Sequence, residues 1–147
     1  MQDHITTKMG HYAGKVYAWD VVNEAFSDDG TMRSTIWYDQ LGIGYSGMGT
    51  KYVEQAFNLV RMADPNAKLF YNDYDAGPPN AKSDAVYARA QDFRGRGIPL
   101  DGVGFQVHVD LNFDNPNTLA SFTSNMQRFA ALGLTRTSHY RTRYSIE

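Results

Sequence analysis

Three short apolar stretches alternate with helix-like stretches along this 147-residue chain, and this alternation limits the fold more than any other feature. The apolar stretches predict strands over Lys15–Val22, Lys68–Tyr74 and Gly102–Val109. Helical spacing and boundary residues predict helices over Gln2–Tyr12, Thr50–Ala63, Asn80–Arg96 and Asn115–Leu132. Strands that alternate with helices are typical of parallel sheets with right-handed crossovers, so the sequence predicts an α/β fold.

Polar residues lie at the carboxyl end of each predicted strand. They are Asn23 and Glu24 after the first strand, Asn72 and Asp73 in the second, and Gln106 and His108 in the third. This placement matches the mouth of a (β/α)8 TIM barrel, where barrel enzymes carry their catalytic residues. A doubly wound sheet is the alternative, but no GxGxxG or phosphate-binding loop follows any strand. A whole barrel takes about 250 residues, so we expect a barrel fragment with about three parallel strands.

Charge and composition restrict the partners that the chain can bind. Fourteen basic and sixteen acidic residues give a formal net charge of −2, which provides no broad cationic face for nucleic acid or an anionic membrane. A neutral substrate fits better, and an aromatic fraction of 14% supplies rings on which sugars can stack. The absence of cysteine excludes disulfides and thiolate metal sites. We also expect no membrane span and no signal peptide within this chain.

The stretch Tyr17–Phe26, which reads YAWDVVNEAF, contains the leading candidate for a catalytic residue. Its aromatic and β-branched start predicts a buried strand, and Glu24 follows where the apolar run stops. A carboxyl group at that point, beside the amide of Asn23, is placed as a general acid. The alternative is that Glu24 is a surface or helix-start residue. Alternation also puts Asp20 on the side of Val22 and Glu24, where we expect a buried orienting residue.

A long loop rich in Ser, Asp and Gly follows this stretch, from Ser27 to Gly49. Loops of this length in compact domains usually bind something. We expect Trp37 within it either to line a cleft or to anchor the loop. We expect Asp28 and Asp29 at its start to be solvated carboxylates.

Three motifs, in this order, carry a resemblance to a known family. WDVVNEAF at 19–26, YNDY at 71–74 and GVGFQVH at 102–108 closely resemble glycoside hydrolase family ten, the endo-1,4-β-xylanases. Together with the helix before the first motif, the resemblance covers residues 2 to about 134. It implies that the three strands correspond to strands four to six of a (β/α)8 barrel. Residues 1–134 would then be part of a catalytic barrel.

The resemblance implies a retaining mechanism with two carboxylates. Glu24 would be the acid/base catalyst, and Asn23 would hydrogen-bond the 2-hydroxyl of the sugar at the cleavage point. In this mechanism one acid protonates the glycosidic oxygen, while a second carboxylate about 5 Å away attacks the anomeric carbon. The substrate would be xylan or xylo-oligosaccharides, no cofactor is implied, and the family resemblance implies secretion.

Four further residues acquire roles from the same resemblance. Asn72 and Tyr74 resemble contacts on the leaving-group side of the cleaved bond. Gln106 and His108 resemble the pair that lies beside the catalytic nucleophile. His108 would hold that carboxylate ionised and oriented.

The residues after Leu134 depart from the family pattern. The resemblance implies a nucleophile at the end of strand seven, in a segment such as Ile-Thr-Glu-Leu-Asp, but the sequence there reads TRTSHYRTRYSIE. This tail, 135–147, contains three arginines and no apolar alternation, so we expect no core strand in it. After Asp114 the only carboxylate side chain is that of Glu147, and no predicted strand positions it.

The genetic code offers an explanation of the tail as a shifted reading frame. With suitable codons for His139 to Tyr144, reading one base later permits Ile, Thr, Glu, Leu, Asp and Ile in succession. We therefore hypothesise that the tail from Thr135 is a frameshifted reading of strand seven. The nucleophile is then absent from this chain.

Two other functions are compatible with parts of the sequence. A metal-dependent barrel hydrolase could use His108, Asp110 and Glu24 as ligands, although no second strand supplies a histidine. The other alternative is an inactive barrel fragment that binds xylan weakly or not at all. A sheet cut from a closed barrel exposes two edges and its inner face, so we also expect self-association through these edges.

Overall fold

The computed structural model describes residues 1–108 and 116–140, with the backbone alone at 117 and 136–140. Within them, parallel strands form one sheet in the order β1-β2-β3-β4. The strands are β1 (Ala18–Asn23), β2 (Lys68–Tyr74), β3 (Gly102–Val107) and β4 (Thr135–Tyr140). The helices are α1 (Gln2–Tyr12), α2 (Lys51–Ala63), α3 (Ala81–Arg96) and α4 (Pro116–Ala131). The predicted alternation of parallel strands with helices is confirmed, and one further strand follows α4.

The fourth strand corrects the expectation for the tail. β4 pairs in parallel with β3, from Thr135 beside Gly102 to Tyr140 beside Val107. Parallel pairing uses backbone N–H and C=O groups, so it does not require the apolar alternation that this segment lacks. Thr and Tyr, which fill three of its six positions, also favour extended backbone. The expectation of no core strand after Leu134 is therefore wrong for β4, while 141–147 lie outside the described residues.

The helices and the facing side of the sheet enclose an aromatic core. Its four most buried rings, each 0–1% exposed, are Phe57, Phe93, Phe105 and Phe129. Phe57 and Phe93 have ring centroids 5.8 Å apart, and Phe105 and Phe129 are 5.2 Å apart, both in edge-to-face contact. Such pairs add to the free energy gained by burying the rings. This core joins the central strands β2 and β3 to α2, α3 and α4.

Helix α3 begins and ends where the sequence predicts. The Asn80 side chain accepts a hydrogen bond from the Ser83 backbone N–H at 2.7 Å, and the Ser83 hydroxyl accepts one from the Asn80 N–H at 3.0 Å. This reciprocal cap stabilises the first turn of the helix. At the other end Gly97 takes the left-handed conformation, with φ of 71°. None of the helices in 1–108 and 116–140 is long and apolar enough to cross a membrane.

A β-bulge in β1 corrects the expectation for Asp20. Asp20 pairs with Phe70 of β2, whereas Val22 pairs with the next residue, Tyr71. The extra residue in β1, Val21, interrupts the alternation of sides, so Asp20 does not lie on the side of Val22. Asp20 is exposed, and the prediction that it is a buried orienting residue is wrong.

Candidate active site

Amide side chains from three neighbouring strands meet at the carboxyl end of the sheet. Asn72 Nδ2 donates to Asn23 Oδ1 at 2.7 Å, and Gln106 Nε2 donates to the same oxygen at 3.0 Å. These residues are 49 and 83 positions away from Asn23 in the sequence. They meet because parallel strands bring all their carboxyl ends to one rim.

The carboxylate of Glu24 joins this cluster. Gln106 Nε2 lies 3.0 Å from Glu24 Oε1, and Arg33 Nη1 lies 3.2 Å from Glu24 Oε2. The Glu24 side chain remains 28% exposed, so it is held by a donor on each oxygen while solvent still reaches it. A carboxyl group that is fixed in direction and open on one side can exchange a proton with a bound molecule.

An unusual backbone conformation at Glu24 directs this side chain. Its φ is 58°, in the left-handed region that residues other than glycine rarely adopt. Its N–H donates to the Asn72 carbonyl at 2.8 Å, and the next N–H, of Ala25, donates to the Tyr71 hydroxyl at 3.0 Å. Such a conformation costs of order 1–3 kcal/mol and persists only where surrounding contacts hold it. β2 therefore sets the backbone of Glu24 as well as the rim around it.

His108 lies next to the cluster without touching Glu24. Its Nε2 is 3.1 Å from Gln106 Oε1, and the side chain is exposed. Because Oε1 faces His108, the other end of the Gln106 amide is turned toward Glu24 and Asn23. The predicted role of His108 beside a nucleophile stays a prediction.

Tyr74 closes the cluster on the side of β2. Its hydroxyl donates to Asp28 Oδ1 at 2.6 Å and accepts from Arg33 Nη2 at 3.0 Å. Lys82 Nζ lies 3.0 Å from the centroid of its ring. The single hydroxyl proton of Tyr74 is therefore directed to Asp28, and the contact with sugar predicted for Tyr74 would use its ring or its hydroxyl oxygen as an acceptor.

Asp28 is only partly the solvated loop carboxylate that the sequence predicts. Its side chain is 71% exposed, yet it also lies 3.3 Å from Lys82 Nζ. Hydrogen bonds from Tyr74 and Lys82 lower the pKa of Asp28. Asp29 behaves as expected, with its carboxylate hydrogen-bonded only locally, to Thr31 at 2.7 Å.

Tyr71, Asp73 and Lys82 form a buried polar group below the rim. Lys82 Nζ is 3.1 Å from Asp73 Oδ1, and both side chains are 0% exposed. Burial raises the pKa of Asp73, while hydrogen bonds from Tyr71 and Lys82 oppose the rise. Burial would lower the pKa of Lys82, but its hydrogen bonds with Tyr74 and Asp73 raise it above the ordinary value. Burial and then the Asp73 carboxylate raise the pKa of Tyr71 well above its usual range, so Tyr71 stays a donor.

Arg33 and Lys82 are the residues of this site that sequence reasoning missed. Arg33 lies in the Ser27–Gly49 loop, whose length and composition predict binding without indicating which residue takes part. Its N–H donates to the Ala25 carbonyl at 2.9 Å, which folds the loop back beside Glu24. Lys82 lies in the first turn of α3, and no local pattern marks it, because its partners are distant in sequence.

Two cavities adjoin the cluster. One, of about 370 Å³, is lined by residues that include Tyr74, Gln106, His108 and Phe122. The other, of about 270 Å³, is lined by residues that include Asn23, Trp37 and Tyr52. Trp37 also packs against the core, so it combines the two roles that the sequence left open.

Two of the three ligands of the metal-site alternative, Glu24 and His108, lie among the described residues. Asp110 lies outside the described residues. Within 1–108 and 116–140, no three His, Cys, Asp or Glu side chains are grouped closely enough to hold one ion. His108 contacts Gln106 rather than Glu24.

Comparison with known proteins identifies the family. A family model described as glycosyl hydrolase family 10 matches residues 1–137. Endo-1,4-beta-xylanase B of Thermotoga neapolitana is 45% identical over 134 residues, which are 91% of this chain and 36% of the relative. The chain thus spans about a third of the length of this relative.

Solved structures agree with this assignment. Native xylanase 10B from Thermotoga maritima is 45% identical, with a TM-score of 0.78 over 92% of this chain and 39% of that one. Xylanase 10B from Thermotoga petrophila RKU-1, solved in complex with xylobiose, is also 45% identical with a TM-score of 0.78, over 92% of this chain and 38% of that one. The fold is therefore that of a TIM-barrel fragment, and the resemblance of the three motifs is confirmed. The chain belongs to glycosyl hydrolase family 10.

Proposed function

We propose that this chain is part of a secreted endo-1,4-β-xylanase that cleaves internal β-1,4-xylosidic bonds with retention, and that Glu24 is its acid/base catalyst. The observation that carries the proposal is the Glu24 carboxylate, held by Gln106 at 3.0 Å and Arg33 at 3.2 Å at an open rim. Within this proposal Asn23 binds the 2-hydroxyl of the sugar at the cleavage point, and Asn72 and Tyr74 contact the leaving-group side. The self-association expected through the sheet edges is a separate prediction.

The chemistry assigned to Glu24 has two steps. Its carboxyl proton passes to the glycosidic oxygen as that bond breaks, while a second carboxylate bonds to the anomeric carbon. The Glu24 carboxylate then takes a proton from water, whose oxygen displaces the second carboxylate. Each of the two steps inverts the configuration at the anomeric carbon, so the product keeps the configuration of the substrate.

If β4 corresponds to strand seven, as the frameshift hypothesis assumes, the second carboxylate would belong near its end. β4 pairs with β3 beside Gln106, but its sequence TRTSHY contains no Asp or Glu. The shifted reading frame permits Ile-Thr-Glu from His139 onward, which would put its Glu at position 141, directly after β4. This agrees with the hypothesis that the tail is a frameshifted strand seven.

Sequencing the coding DNA across codons 135–144 in all three frames tests the frameshift. We expect the frame one base later to encode Ile-Thr-Glu-Leu-Asp. A verified sequence without this segment in any frame would defeat the hypothesis, although it would leave the role of Glu24 untouched.

A chimera tests the proposed function itself. Residues 1–134 would replace the matched segment of the Thermotoga neapolitana relative, which is 45% identical to this chain there. We expect the chimera to release reducing sugars from xylan, with the β-configured product appearing first in an NMR time course. A chimera that shows native near-UV circular dichroism but does not cleave xylan, beside an active parent, would overturn the proposal.

A further inference from the structure

Lys82 is a fully buried cation for which the proposed chemistry has no use. Its ammonium nitrogen lies 3.1 Å from Asp73, 3.3 Å from Asp28 and 3.0 Å from the centroid of the Tyr74 ring. A buried ion pair is weak support for stability by itself, because removing two charges from water costs about as much as their attraction returns. Its partners indicate a positional role instead.

A first chain of contacts leads from Lys82 to the backbone at Glu24. Asp73, which binds Lys82 through Oδ1, accepts a hydrogen bond from the Tyr71 hydroxyl at 2.5 Å through Oδ2. The Tyr71 hydroxyl in turn accepts from the N–H of Ala25 at 3.0 Å. Each group is thus fixed in direction by the next one. The chain ends one residue beyond the left-handed conformation of Glu24.

A second chain of contacts leads from Lys82 to the Glu24 carboxylate. The ammonium group lies on the Tyr74 ring, and the Tyr74 hydroxyl accepts from Arg33 Nη2 at 3.0 Å. Arg33 Nη1 is the donor that lies 3.2 Å from Glu24 Oε2. Because the guanidinium group is rigid and planar, Arg33 can contact Tyr74 and Glu24 together only at a fixed separation. A displaced Tyr74 ring would therefore move Arg33 away from the carboxylate.

We propose that Lys82 is a positioning residue that holds Glu24 in its strained backbone conformation and aims its carboxylate, acting through Asp73 and Tyr71 on one side and through Tyr74 and Arg33 on the other. Its importance for catalysis rests on the proposed function of Glu24. The effect of Lys82 on the geometry of Glu24 does not depend on that function, and this effect can be measured without any sugar.

The test compares two substitutions in the 147-residue chain by NMR. Lys82→Met removes the buried charge at nearly constant length. Lys68→Met is the control for the loss of a lysine that pairs with a carboxylate away from the rim. The Lys68 side chain is 46% exposed and lies 3.8 Å from Asp101, at the amino end of β2. The signals to be followed are the Glu24 carboxyl and Cα carbons, Arg33 Nε, and the exchange rates of the Ala25 and Phe105 amides.

We expect Lys82→Met to shift the Glu24 and Arg33 signals and to speed exchange at Ala25 by about tenfold or more relative to Phe105. Lys68→Met should leave these signals and this ratio unchanged. A purely structural role would speed both amides together and leave the Glu24 signals of the folded protein in place, and this result would overturn the proposal.

A second variant keeps the test decisive if Lys82→Met does not fold. Lys82→Met combined with Asp73→Asn removes both buried charges and leaves an uncharged acceptor for Tyr71. We expect the Glu24 carboxyl and Arg33 Nε signals to shift in this variant too. Unchanged signals would contradict the proposal, whereas a failure of the xylan-cleaving chimera would contradict only the proposed function.

Discussion

The 147-residue chain by itself is expected to release almost no reducing sugar from xylan, at least about 10⁴-fold less per molecule than the chimera. Retaining hydrolysis needs a carboxylate on each side of the bond, and β4 offers none. The chain also spans only about a third of the length of the relative that supplies the rest of the chimera. The measurement is a xylan assay with far-UV and near-UV circular dichroism on the same sample.

The spectra separate an inactive protein from an unfolded one. A folded sample without turnover agrees with the expectation. Turnover at about 10 per second, the median rate for enzymes, would show that another group supplies the nucleophile. Activity that rises with the square of protein concentration would locate that group in a second copy of the chain.

Glu24→Gln in the chimera is expected to slow the hydrolysis of xylan by about 10²–10⁴-fold, the usual contribution of a general acid. Xylan has a poor leaving group that must receive a proton as the bond breaks. A dinitrophenyl xylobioside has a leaving group that departs without a proton, so we expect its cleavage step to lose far less. Steady-state and burst kinetics on both substrates measure this difference.

Glu54→Gln is the matched control for this substitution. Glu54 lies on α2, where it pairs with Lys51 at 2.7 Å and Arg96 at 2.9 Å on the outside of the sheet. It should leave both rates within about twofold, since Glu54 pairs with Lys51 and Arg96, whose side chains are 47% and 45% exposed. Equal losses in the cleavage step on both substrates with Glu24→Gln would argue against proton donation and in favour of a binding role.

Much of the framework can be predicted from the sequence because it follows from local patterns. α1 and β2 begin and end at the predicted residues, and α3 begins next to its predicted cap at Asn80. The meeting of Asn23, Asn72 and Gln106 follows from topology alone, since parallel strands share one rim. The sequence therefore predicts which side chains gather at the site without any knowledge of individual distances.

Other features depend on contacts that no local pattern encodes. Lys82 binds Asp28 from 54 residues away, and Arg33 reaches Tyr74 across 41 residues. The bulge in β1 displaces Asp20 although the strand reads as regular alternation. β4 forms although its side chains lack the apolar pattern of a strand, because the open edge of β3 offers backbone partners to whatever chain follows α4.

The positive φ of Glu24 has a consequence for mutagenesis at that position. A saturation library there would rank residues by two criteria at once, the proton they can offer and the torsion angle they tolerate. Glycine and asparagine adopt a positive φ at little cost in free energy, so these variants would give abundant, soluble but inactive protein. Valine and isoleucine disfavour a positive φ, so these variants would give little folded protein. Yield and activity would consequently have to be scored separately before any variant is declared chemically incompetent.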